Sequence, residues 1–214
     1  MTAESEDIIP FNYQPILTGA LHRWLGQNDL HDGLSLYSFS WLRGGRAISR
    51  GLSFPNGAHF FISAYDSRFL EKIIQNIKES PYIVNGLSVR EVIVQKNPEF
   101  TNIENTLLFA SPILVKRNVN GKDLHFSFDD DQSGEYLTET LKRKLRLAGL
   151  SDDSVFVEFD RSYHSPRTKV IYYNQVGNKV NLCPVKIKGS PEQVTFAWNV
   201  GIGNSTGIGF GAVK

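Results

Sequence analysis

Cysteine and methionine are almost absent, with Cys183 the only cysteine and Met1 the only methionine in 214 residues. A lone cysteine excludes an internal disulfide framework, and without a CxxC or a Cys/His cluster a structural zinc site has no ligand set. Long apolar runs are missing too, so no segment reads as a membrane span. The first residues carry Glu4, Glu6 and Asp7 where a secretory signal would be basic and then apolar. Together these absences point to a cytoplasmic protein. Neither sign of charge dominates: 23 Lys and Arg face 22 Asp and Glu, and a net charge of +1 neither demands nor excludes a nucleic-acid partner.

What is present is ample for packed cores, with 41% hydrophobic and 12% aromatic residues. Basic side chains gather at Arg43, Arg46 and Arg50, at Lys116, Arg117 and Lys122, at Lys142 to Arg146, and at Arg161, Arg167 and Lys169. Such clusters suit phosphates, although a charged helix face is ordinarily just solvated.

Apolar spacing predicts a helix over residues 14–26 and another over 66–80, the second opened by Asp66 as N-cap. Strands are expected at 34–41, 58–65 and 87–96, with the intervening RGGRAISRG read as a mobile basic linker. In the second half, residues 105–117 read as a strand pair or a bent strand interrupted at Pro112, and 135–149 as a helix with Leu137, Leu141, Leu145 and Ala148 inward and a basic outer face. VFVEF, KVIYYN, KVNLCPVKIKG, VTFAWNVG and the terminal TGIGFGAVK are all expected as strands. Helices embedded among antiparallel strands in each half give an α+β class. Its economical form is two tandem ferredoxin-like units, RRM-like split βαβ domains, over residues 1–105 and 106–214.

The tail VGIGNSTGIGFGAVK places Gly201, Gly203, Gly207, Gly209 and Gly211 among small and apolar residues. Glycine permits positive φ and close approach, so the tail describes a ledge whose N–H groups could meet phosphate oxygens. No Gly-Lys-Ser/Thr follows, and no helix, which excludes a Walker loop and a dinucleotide fingerprint. A tight glycine hairpin between packed strands accounts for the same pattern.

This tail resembles the C-terminal glycine-rich loop of the RAMP superfamily of RNA-binding proteins, and within it the CRISPR repeat-processing endoribonucleases. Three further stretches match in order: NYQPILTGALHRWL with its Tyr13-Gln14 pair, DLHDGLSLYSFSWL, and the Ser-Pro-Ile element in SPILVKR. The resemblance implies two ferredoxin-like domains and metal-independent cleavage by the ribose 2′-hydroxyl, with no cofactor. Members begin with a strand before the Tyr-Gln helix, whereas MTAESEDIIPF offers no convincing strand.

On the resemblance, His31 matches the catalytic histidine of many members, and His22 the place of a catalytic tyrosine or second histidine. Histidine suits either proton transfer because its unperturbed pKa is ~6.5. The lysine that assists in some members is absent near Ser35, which leaves Arg43, Arg46, Arg50, Tyr37 and Ser40 as candidates to stabilise the phosphate. The five tail glycines, Lys116, Arg117, Lys142, Arg143, Arg161, Arg167 and Lys169 are the expected RNA contacts, and Tyr163, Tyr172 and Tyr173 candidate stackers. The expected partner is CRISPR repeat RNA, with a homodimer and other effector-complex subunits as further candidates. The acidic run 129–131 reads as a cap leading a helix rather than a metal site. Two other readings stay open: a non-catalytic RNA-binding scaffold of the same superfamily, and a ferredoxin-like protein gripping a free nucleotide.

Overall fold

The computed structural model describes residues 2–4, 8–26, 34–84 and 86–214. The first half contains β1 (Thr2–Glu4), α1 (Gln14–Leu25), β2 (Tyr37–Phe39), β3 (Arg46–Ile48), β4 (Gly51–Ser53), β5 (Ala58–His59), β6 (Ile62–Ala64), α2 (Ser67–Glu79), β7 (Tyr82–Val84) and β8 (Leu87–Glu91). The second contains β9 (Glu104–Leu107), β10 (Lys116–Val119), β11 (Lys122–His125), α3 (Ser133–Leu147), β12 (Phe156–Phe159), β13 (Arg167–Tyr173), β14 (Val176–Leu182), β15 (Val185–Lys188), α4 (Pro191–Val200) and a 3-10 turn, Thr206–Ile208.

Both halves follow one plan. In the second, β15 lies between β12 and β9, all antiparallel. The chain after the 3-10 turn then returns along the other side of β9, where Leu108 and Lys214 exchange backbone hydrogen bonds of 3.0 and 2.8 Å. In order of appearance these strands lie 2-3-1-4, with α3 after the first and α4 after the third, which is the ferredoxin-like arrangement. In the first half β2 pairs with β6, and the pairing runs on through mutual bonds between Arg43 and His59. There β5 pairs with β1, and β1 with β8, so the order is again 2-3-1-4.

Periodicity explains most of the elements. Along α2, Ile73 and Ile77 are buried and Asp66 Oδ1 accepts the Arg68 N–H at 3.0 Å, as an N-cap should. One core draws on residues from Ile9 to Val89, including Trp24 and Phe39, and a second on residues from Leu107 to Val213. The two meet where α4 lies on β2 and β6: Trp198 stacks on Phe61 at 6.3 Å and Phe196 meets Tyr65 edge-on at 5.1 Å.

Four expectations are corrected. VTFAWNVG belongs to a helix, because Ser190 and Gln193 form a capping box and Pro191 fills the first turn, overriding the β-branched and aromatic composition. TGIGFGAVK forms the 3-10 turn and a single β-bridge between Phe109 and Val213 rather than a full strand. RGGRAISRG is not a loose linker but part of the β3–β4 hairpin, tied to Ile9 through Leu52. A strand does precede the Tyr-Gln helix, at Thr2–Glu4.

Candidate functional site

The glycine tail is held on two sides. On one, its N–H groups are spent on the Ser-Pro-Ile element: Gly211 N donates to Pro112 O at 2.8 Å, Ala212 N to Ser111 Oγ at 2.8 Å, and Asn204 N to Leu114 O at 2.8 Å. Asn204 Oδ1 returns the favour by accepting the Lys116 N–H at 2.9 Å. On the other side three donors from the first half reach its carbonyls. Tyr37 Oη donates to Gly207 O at 3.2 Å, Gln14 Nε2 to Ile208 O at 2.7 Å, and Trp41 Nε1 to Gly209 O at 2.8 Å.

Strand periodicity explains why one segment supplies so much of this grip. Tyr37, Trp41 and Arg43 are spaced by even numbers, so their side chains leave the strand on one side. Arg43 extends the series with a long 3.4 Å contact from Nη2 to Phe109 O. Tyr13 completes the frame, its hydroxyl accepting the Leu42 N–H at 3.0 Å. The Tyr-Gln pair thus ties the start of α1 to both the strand and the tail.

Two glycines are required by this geometry. At Gly211, φ is +67° and a Cβ would run into the Ile202 carbonyl. At Gly207, a Cβ would run into Ser35 and lie 2.9 Å from the Tyr37 hydroxyl. All five tail glycines are buried. With the N–H groups of Gly201, Gly209 and Gly211 spent internally, the open phosphate ledge expected from sequence is largely a clasp between the halves. The N–H groups of Thr206 and Gly207, which begin the 3-10 turn, bond no acceptor among the described residues.

Beneath the clasp lies a residue that composition assigned to a solvated face. Lys144 is 2% exposed, and its Nζ reaches Val200 O at 3.1 Å, Gly201 O at 3.3 Å and Thr206 Oγ1 at 3.0 Å. Burial pushes its pKa down from 10.5 to about 7. The signal was present in the sequence: Lys144 is seven residues after Leu137 and three after Leu141, on the apolar stripe.

The remaining candidates divide sharply. His31 lies outside the described residues. His22 is partly buried on α1, on the same face as Gln14 and Thr18 at four-residue steps, about 12 Å along the axis from Gln14. Tyr37 and Ser40 are corrected as free phosphate ligands, being 3% and 0% exposed. Ser40 Oγ accepts the Phe61 N–H at 2.9 Å and donates to Trp41 O at 3.2 Å. Burial pushes the Tyr37 phenol up to about 12, against the lowering effect of its bond to Ser35 and with the Tyr173 phenol adding to the rise. It therefore remains a donor. Arg46 and Arg50 are exposed on or beside the β3–β4 hairpin.

Among the basic candidates of the second half, Arg117 is also corrected. Its guanidinium lies 4.6 Å from the Tyr136 ring and bonds Tyr136 O, Glu139 and Thr140. Lys116 pairs with Asp123 at 2.9 Å, and Arg161 with Asp131 at 3.5 Å. Lys142 and Arg161 line a cleft of about 480 Å³ that also holds Asp131, Glu135, Glu139 and Glu158, a surrounding that repels phosphate. Arg143, Arg167 and Lys169 are exposed and make no ion pair among the described residues.

Similarity to known proteins agrees with this architecture. The chain is 23% identical over 224 residues to the CRISPR-associated endoribonuclease Cas6 1 of Methanocaldococcus jannaschii, covering 96% of this chain and 87% of that one. A solved structure of a Cas6-related protein from Pyrococcus furiosus superposes with a TM-score of 0.82 at 19% identity, over 100% of this chain and 94% of that one. Another, described as an RAMP protein binding different RNA substrates, gives 0.83 at 19% identity, over 100% and 97%. Residues 95–214, more than half of the chain, match the family model described as CRISPR associated protein Cas6, C-terminal. With that match spanning the Ser-Pro-Ile element, Lys144 and the whole glycine tail, the chain belongs to the Cas6 family.

Proposed function

We propose that this protein is an endoribonuclease that cuts CRISPR repeat RNA into guide RNAs without a metal ion. The observation that carries the reading is the closure of the glycine turn on Ser35 and Tyr37. Ser35 is four residues after His31, and four extended residues span at most ~14 Å. The turn thus closes on the segment that directly follows the candidate catalytic histidine in sequence.

In the proposed reaction the 2′-hydroxyl oxygen attacks the adjacent phosphorus as a base removes its proton. The P–O5′ bond breaks, and an acid protonates the departing 5′ oxygen. The products are a 2′,3′-cyclic phosphate and a 5′-hydroxyl. His31 and His22 share the two proton roles, each such assistance being worth ~10²–10⁴ in rate. The N–H groups of Thr206 and Gly207, which bond no acceptor among the described residues, supply positive potential near the scissile phosphate together with Arg43. Arg143, Arg167 and Lys169 hold the flanking backbone, a role that positions RNA without reading its sequence.

The test is cleavage of the repeat RNA from the protein's own genome in excess EDTA, beside the same RNA carrying a 2′-deoxy sugar at the cut site. The first should be cut and the second should not. His31→Ala should lower the single-turnover rate at least ~100-fold while leaving RNA affinity within about twofold. Tight binding without cleavage of either RNA would instead favour a non-catalytic scaffold.

A further inference from the structure

The longest acid-free stretch of basic character in the second half is not on a helix. Residues 161–191 contain six Lys and Arg and no Asp or Glu. Three of the six are paired with acids elsewhere: Arg161 with Asp131, Lys186 with Asp160 and Lys188 with Glu104. The other three, Arg167, Lys169 and Lys179, all lie on the β13–β14 hairpin, are exposed, and form no ion pair among the described residues.

The two faces of this hairpin differ. Alternation turns Ile171 and Val180 inward, where they pack with Leu114 and Phe210 beside the glycine clasp. The opposite face carries Val170 and Tyr172 from β13 and Gly177 and Lys179 from β14. Tyr172 is directly opposite Gly177, and a Cβ there would lie 3.4 Å from Tyr172 Cε1 and 3.5 Å from Val170 Cγ1. The ring thus rests on bare backbone with Val170 beside it, yet 63% of the residue is exposed. Lys179 occupies the diagonal position to Tyr172, within about 8 Å.

A supported aromatic plane open on its other side, with the ammonium of Lys179 beside it, matches the chemistry of a single-stranded nucleotide: a flat base and an anionic backbone. A base inside a duplex has no free face to offer it. We propose that Tyr172 stacks an unpaired nucleobase of the RNA, with Lys179, on the same face, taking an adjoining phosphate, so that the hairpin selects single-stranded over duplex segments. The inference rests on the RNA-binding reading above and deepens it. Tyr163 is less suited, being half-buried against His164 at 4.6 Å, and Tyr173 lies on the inward face with Ile171.

The experiment measures binding of the full chain to the repeat RNA of its own genome, single-stranded and annealed to its complement, with 2-aminopurine placed at successive positions of the single strand. Tyr172→Ala should weaken single-strand binding about thirtyfold, the middle of the range for losing one base–aromatic stack, and abolish quenching at one position. Tyr172→Phe should restore both, and duplex binding should be the same in all three proteins. Equal affinity of Tyr172→Ala and wild type for the single strand, or equal losses on both RNAs, overturns the stacking role while leaving RNA binding intact. Failure of the wild-type protein to bind either RNA overturns this proposal together with the functional reading.

Discussion

Lys144 presents a buried amine that must work in two protonation states. As an ammonium it can donate to the Val200 and Gly201 carbonyls and to Thr206 Oγ1. As a neutral amine it keeps two N–H donors for the carbonyls and can accept from the Thr206 hydroxyl. The unfolded amine titrates near 10.5 and the folded one at about 7, because burial disfavours the charge. Between those pH values the unfolded chain binds the additional proton, so stability rises with pH across that window, by up to roughly 1.4 kcal/mol per unit from this residue. Lys144→Met should flatten that rise in urea titrations between pH 7 and 10. An unchanged slope in the variant would remove Lys144 as its source.

At the level of elements, the glycines of the tail are not equivalent to glycines elsewhere. Gly211→Ala combines a positive φ with a Cβ driven into the Ile202 carbonyl, whereas Gly121→Ala, at φ +80°, meets nothing within 4 Å. The first should destabilise the protein by about 3 kcal/mol or more, and the second by about 1 kcal/mol from backbone strain alone. Chemical denaturation of both variants checks the contrast. Which elements were legible in the sequence follows from the same local physics. The three helices with an apolar stripe, α1, α2 and α3, announce themselves by spacing. For α4 the decisive letters were Ser190, Pro191 and Gln193 at its start, outweighed in the reading by Val194, Thr195, Phe196 and Trp198. Strand β1 is three residues long and gains its place only by pairing with β5 and β8, a non-local fact that no window over residues 1–11 contains. The candidate site was legible as motifs but not as roles. Tyr37 and Ser40 stand in the motif, yet their burial depends on residues more than 20 positions away.

For the whole molecule, the clasp makes the two halves thermodynamically interdependent. Gln14 and Trp41 contribute two part-buried hydrogen bonds to carbonyls of the tail, across 194 and 168 residues of sequence. Removing both donors, in a Gln14→Leu, Trp41→Phe double variant, should cost about 2–4 kcal/mol, since each carbonyl left without a partner costs roughly 1–2 kcal/mol. Calorimetry should then resolve two transitions in place of one, as the halves melt separately. A single transition at an unchanged temperature would mean that the aromatic contacts of α4 hold the halves without the clasp.

The joining piece is also synthesised after everything it joins. Residues 201–214 follow every segment they bind, so a ribosome delivers both halves before it delivers what fastens them. Until then the first half exposes the donors of Gln14, Tyr37 and Trp41, and the second half lacks the segment that pairs beside Leu108. Contacts of such long sequence separation form late and slowly. A nascent chain therefore passes through an interval in which each half is nearly built and neither is finished, when a chaperone would find the most to hold.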